Sequence, residues 1–565
     1  MRTMLGIQLR RMLWTPLRIE AKLLRKRWLQ AVRRADETQG RLLARLLKDV
    51  AQSDFGRRHG LAHVRTIDDL RKALPIAGYE RMAPFIERLK QGETEALLPK
   101  DTRIHMFAMT SGTTGRPKYV PVTDAVHKAY RNGWHVWGVC ALDDHIDAFG
   151  SKILQIASRM DEQETPCGIP AGAMSGFTAY AQRGLIQKAY ILPPEASRAG
   201  DTATKYYLAC RLGLRDHRVL PITANPSTLL GLAKAMDAEK EPLIRDLADG
   251  TLRADLALDA DARRSIEMRL QPMPARARQL EAQIRATGHL YPKDTWELPL
   301  IGTWKGGTLS LYLREMALYW GNAPIRDIGL IASEGRFSVP LQTEGTAGVL
   351  EVTGTYFEFV PEDDIEKPDP PALLPHETEV GRNYFLILTT PGGLVRYDIR
   401  DLVKVVGHVG KAPVIEFLNK GAHVANLTGE KITEFQVVTA VNSSLNRLGL
   451  PVRNYCLAPT WAEVPYYSLL GEECDVPAGR AAELAAATDT ALCGLNVEYE
   501  TKRKSRRLKA IRVKTIPAGA WQAFDAKTIA ARGGRIEQYK HAFLVNKVDF
   551  EREFQIKGCY GPSCD

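Results

Sequence analysis

Hydrophobic and polar positions follow patterns that change along the chain. In residues 1–100, apolar residues recur at helical spacing and Pro75, Gly78, Pro84 and Gly92 interrupt them, which predicts a series of short helices. Beyond that segment, amphipathic stretches alternate with short apolar runs typical of strands, at residues 104–109, 119–123, 152–157, 217–224 and 325–333. Helices that connect such strands predict doubly wound α/β sheets.

The pattern changes again near Gly348, where strand-like segments joined by Pro-Gly and Gly turns predict a small β-subdomain over about residues 345–420. After residue 420, helix and strand patterns alternate on a shorter scale. We therefore expect an α/β chain whose large N-terminal domain of doubly wound sheets (1–420) includes the β-subdomain. A smaller C-terminal α/β domain (421–565) follows it.

The net charge of +11 is concentrated at the N-terminus. Residues 1–50 carry 13 Lys and Arg against 4 Asp and Glu, so the rest of the chain is nearly neutral. Nucleic-acid-binding domains are basic over a whole face, which excludes nucleic acid as a partner. The basic segment predicts two amphipathic helices packed by their apolar stripe, and weak contact with a membrane surface stays open as the alternative. A second basic stretch, 501–514, predicts an exposed pair of strands.

The eight cysteines are scattered and lack paired metal-ligand spacing. This distribution favours a reducing, cytoplasmic compartment over a disulfide framework. No run of about 18 apolar residues predicts a transmembrane helix.

Residues 111–118 form a polar loop directly after a predicted buried strand. The loop lacks the Gly-Lys-Ser/Thr of nucleoside-triphosphatase loops, because Arg116 and Pro117 separate Gly115 from Lys118. It also lacks the third glycine of a dinucleotide loop. Its remaining features suit a diphosphate: backbone N–H groups, hydroxyls and a fixed cation, from Ser111, Gly112, Thr113, Thr114, Gly115 and Lys118.

The segment TSGTTGRPK resembles the phosphate-loop signature of the acyl-adenylate-forming superfamily. Further blocks resemble one family within it, the Gretchen Hagen (auxin-responsive) acyl acid amido synthetases, whose members also occur in bacteria. These blocks are 54–93, RVLPITANPSTLLGLAKAM, PYYSLLGEE and an ending that contains EQYK. Together they span nearly the whole chain, in the family's order, and indicate a bacterial-type member.

The resemblance implies a binding site for ATP and Mg²⁺. Ser111, Thr113, Thr114 and Lys118 would hold the phosphates, and Gly306 and Gly307 would lie against the nucleotide. Ser333 and Glu334 would follow a buried strand, with Glu334 as the Mg²⁺ ligand. The resemblance also implies roles for residues near the ribose, the hinge and the C-terminal lid: Asp401 for the ribose hydroxyls, Arg396 and Tyr397 in the same cleft, Lys420 at the hinge, and Lys540 as the catalytic lid lysine, with Lys431 as the other candidate.

The implied reaction joins a small carboxylic acid to the amine of an amino acid through an acyl-adenylate, with a mobile C-terminal lid. Two alternatives stay open: an acyl-CoA ligase with the same first step, and a non-catalytic protein that binds acyl groups or nucleotides. We expect the acyl group beside the helix after the loop and beside residues 171–180. The helical spacing of Tyr130, Trp134 and Trp137 is more typical of core packing than of pocket lining.

Overall fold

The chain divides between Phe417 and Leu418 into two units, residues 1–417 and 418–565. The computed structural model describes residues 15–110, 117–181, 187–306, 310–421, 424–425, 427–428, 430, 432–531 and 539–561. The fold is mixed α/β, as the sequence predicts.

The helices of the first unit that the structure describes include most of residues 15–90. They are α1 (Thr15–Arg33), α2 (Ala35–Val50), α3 (Asp54–Arg58), α4 (Ile67–Ala73), α5 (Tyr79–Lys90), α6 (Asp124–Asp144), α7 (Met174–Tyr180), α8 (Thr202–Gly213), α9 (Pro226–Ala238), α10 (Lys240–Asp249), α11 (Ala260–Glu267), α12 (Pro274–Thr287), α13 (Pro292–Thr295) and α14 (Ser310–Trp320).

The first sheet of this unit has the order β2-β1-β5-β4. Its strands are β1 (Ile104–Thr110), β2 (Lys118–Thr123), β4 (Gln163–Glu164) and β5 (Pro170–Gly172). The antiparallel pair β1 and β2 is followed by α6, and the Thr123 side chain accepts a hydrogen bond from the Val126 N–H. This cap confirms the predicted start of the helix.

A parallel set of short strands lies among α8–α12. It comprises β3 (Lys152–Leu154), β6 (Val219–Pro221), β7 (Ile301–Gly302) and β8 (Ile325–Arg326). β3 pairs with β6, β7 pairs with β8, and a parallel bridge between Ile222 and Gly302 connects the two pairs. The predicted strand 325–333 is wrong in its length, because only β8 and a second short strand, β9 (Ile331–Ala332), form within it.

The β-subdomain is a six-stranded sheet with the order β11-β12-β16-β15-β14-β13. The strands of this sheet are β11 (Ser338–Val339), β12 (Gly348–Leu350), β13 (Tyr356–Pro361), β14 (Asn383–Thr389), β15 (Tyr397–Val409) and β16 (Ala412–Lys420). The strand β10 (Gly335–Arg336), which forms a hairpin with β9, precedes the sheet in the chain. The inner face of the sheet packs into a hydrophobic core shared with β1, β2, α6 and the N-terminal helices.

The predicted apolar stripe of the N-terminal segment is only partly buried. Trp28 and Val32 of α1 lie in the core, and the Trp28 Nε1–H donates to Glu351 Oε1 at 3.1 Å. Ile19 and Leu23 of the same helix are exposed. Within the described residues, no helix is long and apolar enough to cross a membrane.

The second unit is built around the sheet β19-β20-β21-β22. Its strands and helices are β17 (Val424–Ala425), β18 (Ile432–Thr433), α15 (Glu434–Leu448), β19 (Tyr455–Thr460), β20 (Tyr466–Glu472), α16 (Ala478–Leu495), α17 (Val497–Lys504), β21 (Arg512–Ile516), α18 (Ala520–Ala531) and β22 (Gly558–Tyr560). The predicted strand pair at 501–514 is therefore wrong in its first half, which ends a helix.

Candidate active site

The predicted phosphate loop connects two paired strands. Thr110 at the end of β1 lies opposite Lys118 at the start of β2, so the two residues that bound the predicted loop lie side by side. Ser111, Gly112, Thr113, Thr114 and Gly115 lie outside the described residues. Lys118, the cation of this loop, is described and half-buried.

Tyr79 fixes the start of β2. Its hydroxyl accepts a hydrogen bond from the Tyr119 N–H at 2.9 Å and donates one to the Tyr119 carbonyl at 3.1 Å. The Lys118 Nζ lies 5.6 Å from the centroid of the Tyr79 ring, within cation–π distance. Burial raises the pKa of the Tyr79 phenol to about 12, and nearby Glu334 adds to the shift. The phenol is therefore neutral, and the cation of Lys118 lies close to the region of Glu334.

Glu334 lies in the turn of a tight hairpin. Ala332 of β9 pairs with Gly335 of β10, and Ser333 and Glu334 connect them. Although Glu334 is at a turn, its side chain is only 6% exposed. The Tyr397 hydroxyl donates to Glu334 Oε1 at 3.4 Å. The hairpin thus brings the predicted metal ligand against the predicted ribose strand.

The sequence predicts one strand that ends just before Glu334. The structure has a hairpin at this place instead, because the chain turns before it reaches Ile331. Gly329 has φ +85, a conformation that favours glycine. The Asp327 carboxylate accepts hydrogen bonds from the Gly329 N–H at 2.6 Å and from the Lys305 N–H at 2.7 Å. These contacts end the strand at Arg326 and tie the Gly306 segment to the base of the hairpin.

The start of β15 carries Tyr397 and Asp401. Both side chains are about 98% buried. Burial raises the pKa of the Tyr397 phenol, and the negative charges of Glu334 and Asp401 raise it further. The structure therefore brings three of the predicted site residues together: Glu334, Tyr397 and Asp401.

Arg396 adjoins these residues in sequence, but its side chain has a different environment. The guanidinium donates to both carboxylate oxygens of Glu358, at 2.9 and 3.2 Å, and to the Leu74 carbonyl at 2.8 Å. Its backbone has φ 46, which turns the chain sharply into the strand. Through these contacts the side chain anchors β15 from behind, and the place of Arg396 in the nucleotide cleft stays a prediction.

Gly306 lies in the segment after β7. A Cβ built on it would meet Thr346 at 3.5 Å and the Phe417 carbonyl at 4.0 Å, which are ordinary contacts. Neither crowding within the first unit nor a left-handed φ requires glycine at this position. Space for a bound molecule is a remaining physical reason for it. Gly307 lies outside the described residues.

Sequence reasoning missed Arg336, which is 3% exposed in β10. Its guanidinium lies 4.7 Å from the centroid of the Trp134 ring and donates through Nη2 to the Ile328 carbonyl. Nε and Nη1 have no hydrogen-bond partner within the described part of the chain. A Cβ on Gly133 of α6 would lie 2.4 Å from Arg336 Cδ, so the glycine makes the space that this side chain fills. A glycine inside the amphipathic α6 was the one signal that pointed to such a close approach.

Glu334 fits the way proteins hold Mg²⁺ with a nucleotide. Mg²⁺ usually takes one or two protein carboxylates and completes its octahedron with phosphate oxygens and water. No group of three or more His, Cys, Asp or Glu side chains forms a metal cage within the described residues. A single buried carboxylate of this kind suits a metal that arrives with its substrate.

A cavity of about 400 Å³ lies beside α7. β1 and β5 run parallel, with Ala108 opposite Gly172. The predicted phosphate loop and α7 therefore both follow the carboxyl ends of neighbouring strands. Residues of α7 and of the segments around it line the cavity: Ile156, Gly176, Ala179, Tyr180 and Leu192. Part of the stretch 171–180 that we expected beside the acyl group thus faces an apolar space.

The aromatic residues of α6 pack mainly into the core. Tyr130 and Trp137 are buried, and the Trp137 Nε1–H donates to the Asp327 carbonyl at 2.8 Å. Trp134 is partly buried and stacks on Arg336.

In the second unit, the Lys540 side chain is exposed and follows Tyr539, whose hydroxyl donates to Asp525. Lys431 lies outside the described residues, but Glu430 before it is fully buried. The Glu430 carboxylate accepts hydrogen bonds from the Leu427 and Thr428 N–H groups and from the Tyr467 hydroxyl. Lys420 is exposed at the end of β16.

Three family models match the chain in sequence order: the GH3 family N-terminal domain at residues 24–325, the central domain at 348–420 and the C-terminal domain at 435–549. Indole-3-acetic acid-amido synthetase GH3.6 of Arabidopsis thaliana is 24% identical over 553 residues, which cover 90% of this chain and 88% of that protein. Probable indole-3-acetic acid-amido synthetase GH3.1 of Oryza sativa subsp. japonica is 24% identical over 543 residues, with coverages of 90% and 87%. The solved structure of the GH3.15 acyl acid amido synthetase has a TM-score of 0.79 at 20% identity, covers 92% of this chain and 93% of that one, and shows a shared fold.

Proposed function

The chain belongs to the GH3 family, and on that premise we propose that it is an ATP-dependent acyl acid amido synthetase. It activates a small carboxylic acid as an acyl-adenylate and transfers the acyl group to the amine of an amino acid. The single observation that carries the proposal is the convergence of Glu334, Tyr397 and Asp401, with the Tyr397 hydroxyl 3.4 Å from Glu334. A buried carboxylate, a phenol and a second carboxylate suit a metal-bound phosphate beside a ribose.

In the first half-reaction, a carboxylate oxygen of the acid attacks the α-phosphorus of ATP and pyrophosphate leaves. Lys118 and the hydroxyls and N–H groups of residues 111–115 bind the phosphates. Glu334 would hold Mg²⁺, and the metal would supply positive charge beside the phosphate oxygens. Asp401 accepts the ribose hydroxyls, and Tyr397 keeps the Glu334 carboxylate oriented. Gly306 and Gly307 leave room for the nucleotide.

In the second half-reaction, the amine nitrogen attacks the acyl carbon, the bond to the AMP oxygen breaks, and the amine releases a proton. Lys540 of the second unit is the lid lysine in this proposal, and Lys420 marks the hinge. The lysine stabilises the negative charge that develops during adenylation, and rotation of the lid then admits the amino acid.

Arg396 supports this site from behind β15. Its bidentate contact with Glu358 fixes the strand that carries Tyr397 and Asp401. The cavity beside α7 is our candidate for the acyl pocket, since its volume suits a small organic acid and its lining combines apolar side chains with charged ones that include Arg198 and Lys205.

The test is acid-dependent release of pyrophosphate from ATP over a panel of aryl, indolyl and aliphatic acids, followed by addition of amino acids or CoA. We expect pyrophosphate with at least one acid, and AMP with an amide product by mass after an amino acid is added. Lys118→Ala should lower adenylation strongly, whereas Lys128→Ala, at an exposed lysine of α6, should not. No pyrophosphate with any acid contradicts the proposal, and a thioester in place of the amide contradicts its second half.

The acyl pocket has a separate test. Ala179→Phe should fill part of the cavity and raise KM for the acid while KM for ATP is unchanged. Equal changes in both constants would place the acid elsewhere.

We also propose that the chain is a bacterial-type member, because it is only 24% identical to each of the two plant relatives described, and that it works in the cytoplasm, because its described cysteines are free thiols. Weak membrane-surface contact through the basic N-terminus draws support from the exposed Ile19 and Leu23 beside Lys22 and Lys26. Since Trp28 is buried, the variant to test is Ile19→Ser with Leu23→Ser. Unchanged sedimentation with anionic liposomes would remove this contact.

A further inference from the structure

Lys540 lies between two residues that contact the same carboxylate. The Tyr539 hydroxyl donates to Asp525 Oδ1. On the other side, His541 Nδ1 lies 3.2 and 3.3 Å from the two carboxylate oxygens of Asp525. Asp525 belongs to α18, so the chain on both sides of the lysine is tied to one turn of one helix.

His541 is also fixed from its other edge. Its Nε2 lies 3.0 Å from the Tyr455 carbonyl in β19, and its side chain is only 3% exposed. The Trp521 ring packs edge-on against the imidazole at 4.8 Å. Two residues later, the Phe543 N–H donates to Glu434 Oε1 at 2.8 Å. The exposed Lys540 therefore emerges from a segment whose neighbours are held on three elements.

Each ring nitrogen of His541 faces an acceptor: Nδ1 faces the Asp525 carboxylate and Nε2 faces the Tyr455 carbonyl. A ring N–H can donate to either acceptor, so the side chain bridges α18 and β19.

We propose that His541 is a positioning residue for Lys540: its ring clamps the lysine segment to Asp525 of α18 and to the Tyr455 carbonyl of β19. This inference rests on the proposed function, because it assumes that Lys540 acts in adenylation. A side chain that makes only one of these contacts leaves the segment held on one side, so Lys540 is placed less accurately.

The experiment measures adenylation by hydroxylamine trapping in the full-length protein. We expect His541→Gln to lower kcat about ten- to a hundredfold with KM for ATP unchanged, since small misplacements of a catalytic group have effects of this size. Lys540→Ala should lower kcat at least as much. The matched control is His289→Gln, which breaks a second histidine–aspartate contact, with Asp237, and should leave kcat unchanged.

Asp525→Asn and Asp525→Ala separate positioning from folding. The asparagine amide keeps a hydrogen-bonding group opposite His541 and Tyr539, whereas alanine removes it. We therefore expect kcat for adenylation to stay close to that of the wild type in Asp525→Asn and to fall about as far in Asp525→Ala as in His541→Gln, with KM for ATP unchanged in both.

The outcomes distinguish this inference from the proposed function. No adenylate from the wild type with any acid overturns the function itself. A fully active Lys540→Ala, or a His541→Gln with wild-type kcat while Lys540→Ala is impaired, overturns the positioning role. If His541→Gln fails to fold, the comparison of Asp525→Ala with Asp525→Asn decides, and an equal kcat for these two variants overturns the proposal.

Discussion

Two buried arginines flank the candidate site, and they are bound in opposite ways. Arg396, behind β15, makes two contacts with Glu358 and one with the Leu74 carbonyl. Arg336, behind the Glu334 hairpin, makes one hydrogen bond and leaves Nε and Nη1 without a partner among the described residues. Burial lowers the pKa of the Arg336 guanidinium to about 10, so the group stays charged at neutral pH.

The difference shows that burial alone does not reveal what a charged residue contributes. A paired buried charge is strongly destabilising to break, because its partner is then left uncompensated. A buried charge without a full set of partners already carries that penalty in the folded state. We therefore expect Arg396 to raise the free energy of unfolding. We expect Arg336 to hold the Glu334 hairpin in place but to lower the free energy of unfolding.

Matched replacements test this contrast directly. Arg396→Met should lower the free energy of unfolding by about 3–5 kcal/mol, because it leaves the buried Glu358 with only its contact to Arg71. Arg336→Met should be neutral or stabilising, because methionine fills the same space without the charge. Chemical denaturation of both variants measures the difference, and equal losses would refute the contrast.

The next prediction concerns the space beside Gly133 that the Arg336 side chain fills. Gly133→Ala places a methyl group 2.4 Å from Arg336 Cδ, and overpacking of this kind lowers the free energy of unfolding by about 1–3 kcal/mol. The control lies five residues along the same helix. A Cβ added to Gly138 would have no atom within 4 Å, so Gly138→Ala should be neutral or stabilising by up to about 1 kcal/mol.

Adding Arg336→Met to Gly133→Ala sharpens the result. Methionine is more flexible than arginine held by stacking, so the double variant should recover part of the loss. If Gly133→Ala and Gly138→Ala have the same free energy of unfolding, the space beside Gly133 does not constrain Arg336.

The two anchors also show what the sequence could and could not reveal. Local patterns were enough to predict the strand of residues 104–109 and the helix after the loop, α6. The hairpin at Glu334 was not predicted, because the Asp327 side chain and Gly329 end the strand through contacts specific to this fold. The contact of Arg396 with Glu358 was not predicted either, because Glu358 lies 38 residues away, in another strand.

For the site itself, the resemblance named residues whose roles remain predictions, and the structure adds their surroundings. Glu334 lies 63 residues before Tyr397, whose strand also carries Asp401, and the two segments meet through the pairing of separate elements. Pairing over such separations depends on the whole fold, so no local pattern could reveal it.

The smallest effect concerns Tyr79, which joins α5 to β2 by neutral hydrogen bonds where the two arginines use charge. Tyr79→Phe removes the contacts with the Tyr119 N–H and carbonyl and should lower the free energy of unfolding by about 1 kcal/mol at pH 8.

Burial raises the pKa of the Tyr79 phenol from 10.0 to about 12 in the folded protein. Between these values the unfolded chain loses the proton and the folded protein keeps it, so the wild type loses stability as the pH rises, and Tyr79→Phe lacks this loss. Denaturation at pH 8, 10 and 11 should therefore show the difference between the two proteins shrinking. Tyr180→Phe, at a 60% exposed tyrosine, is the control and should track the wild type at every pH. A difference for Tyr79→Phe that is constant with pH would mean that the phenol is not held neutral by its burial.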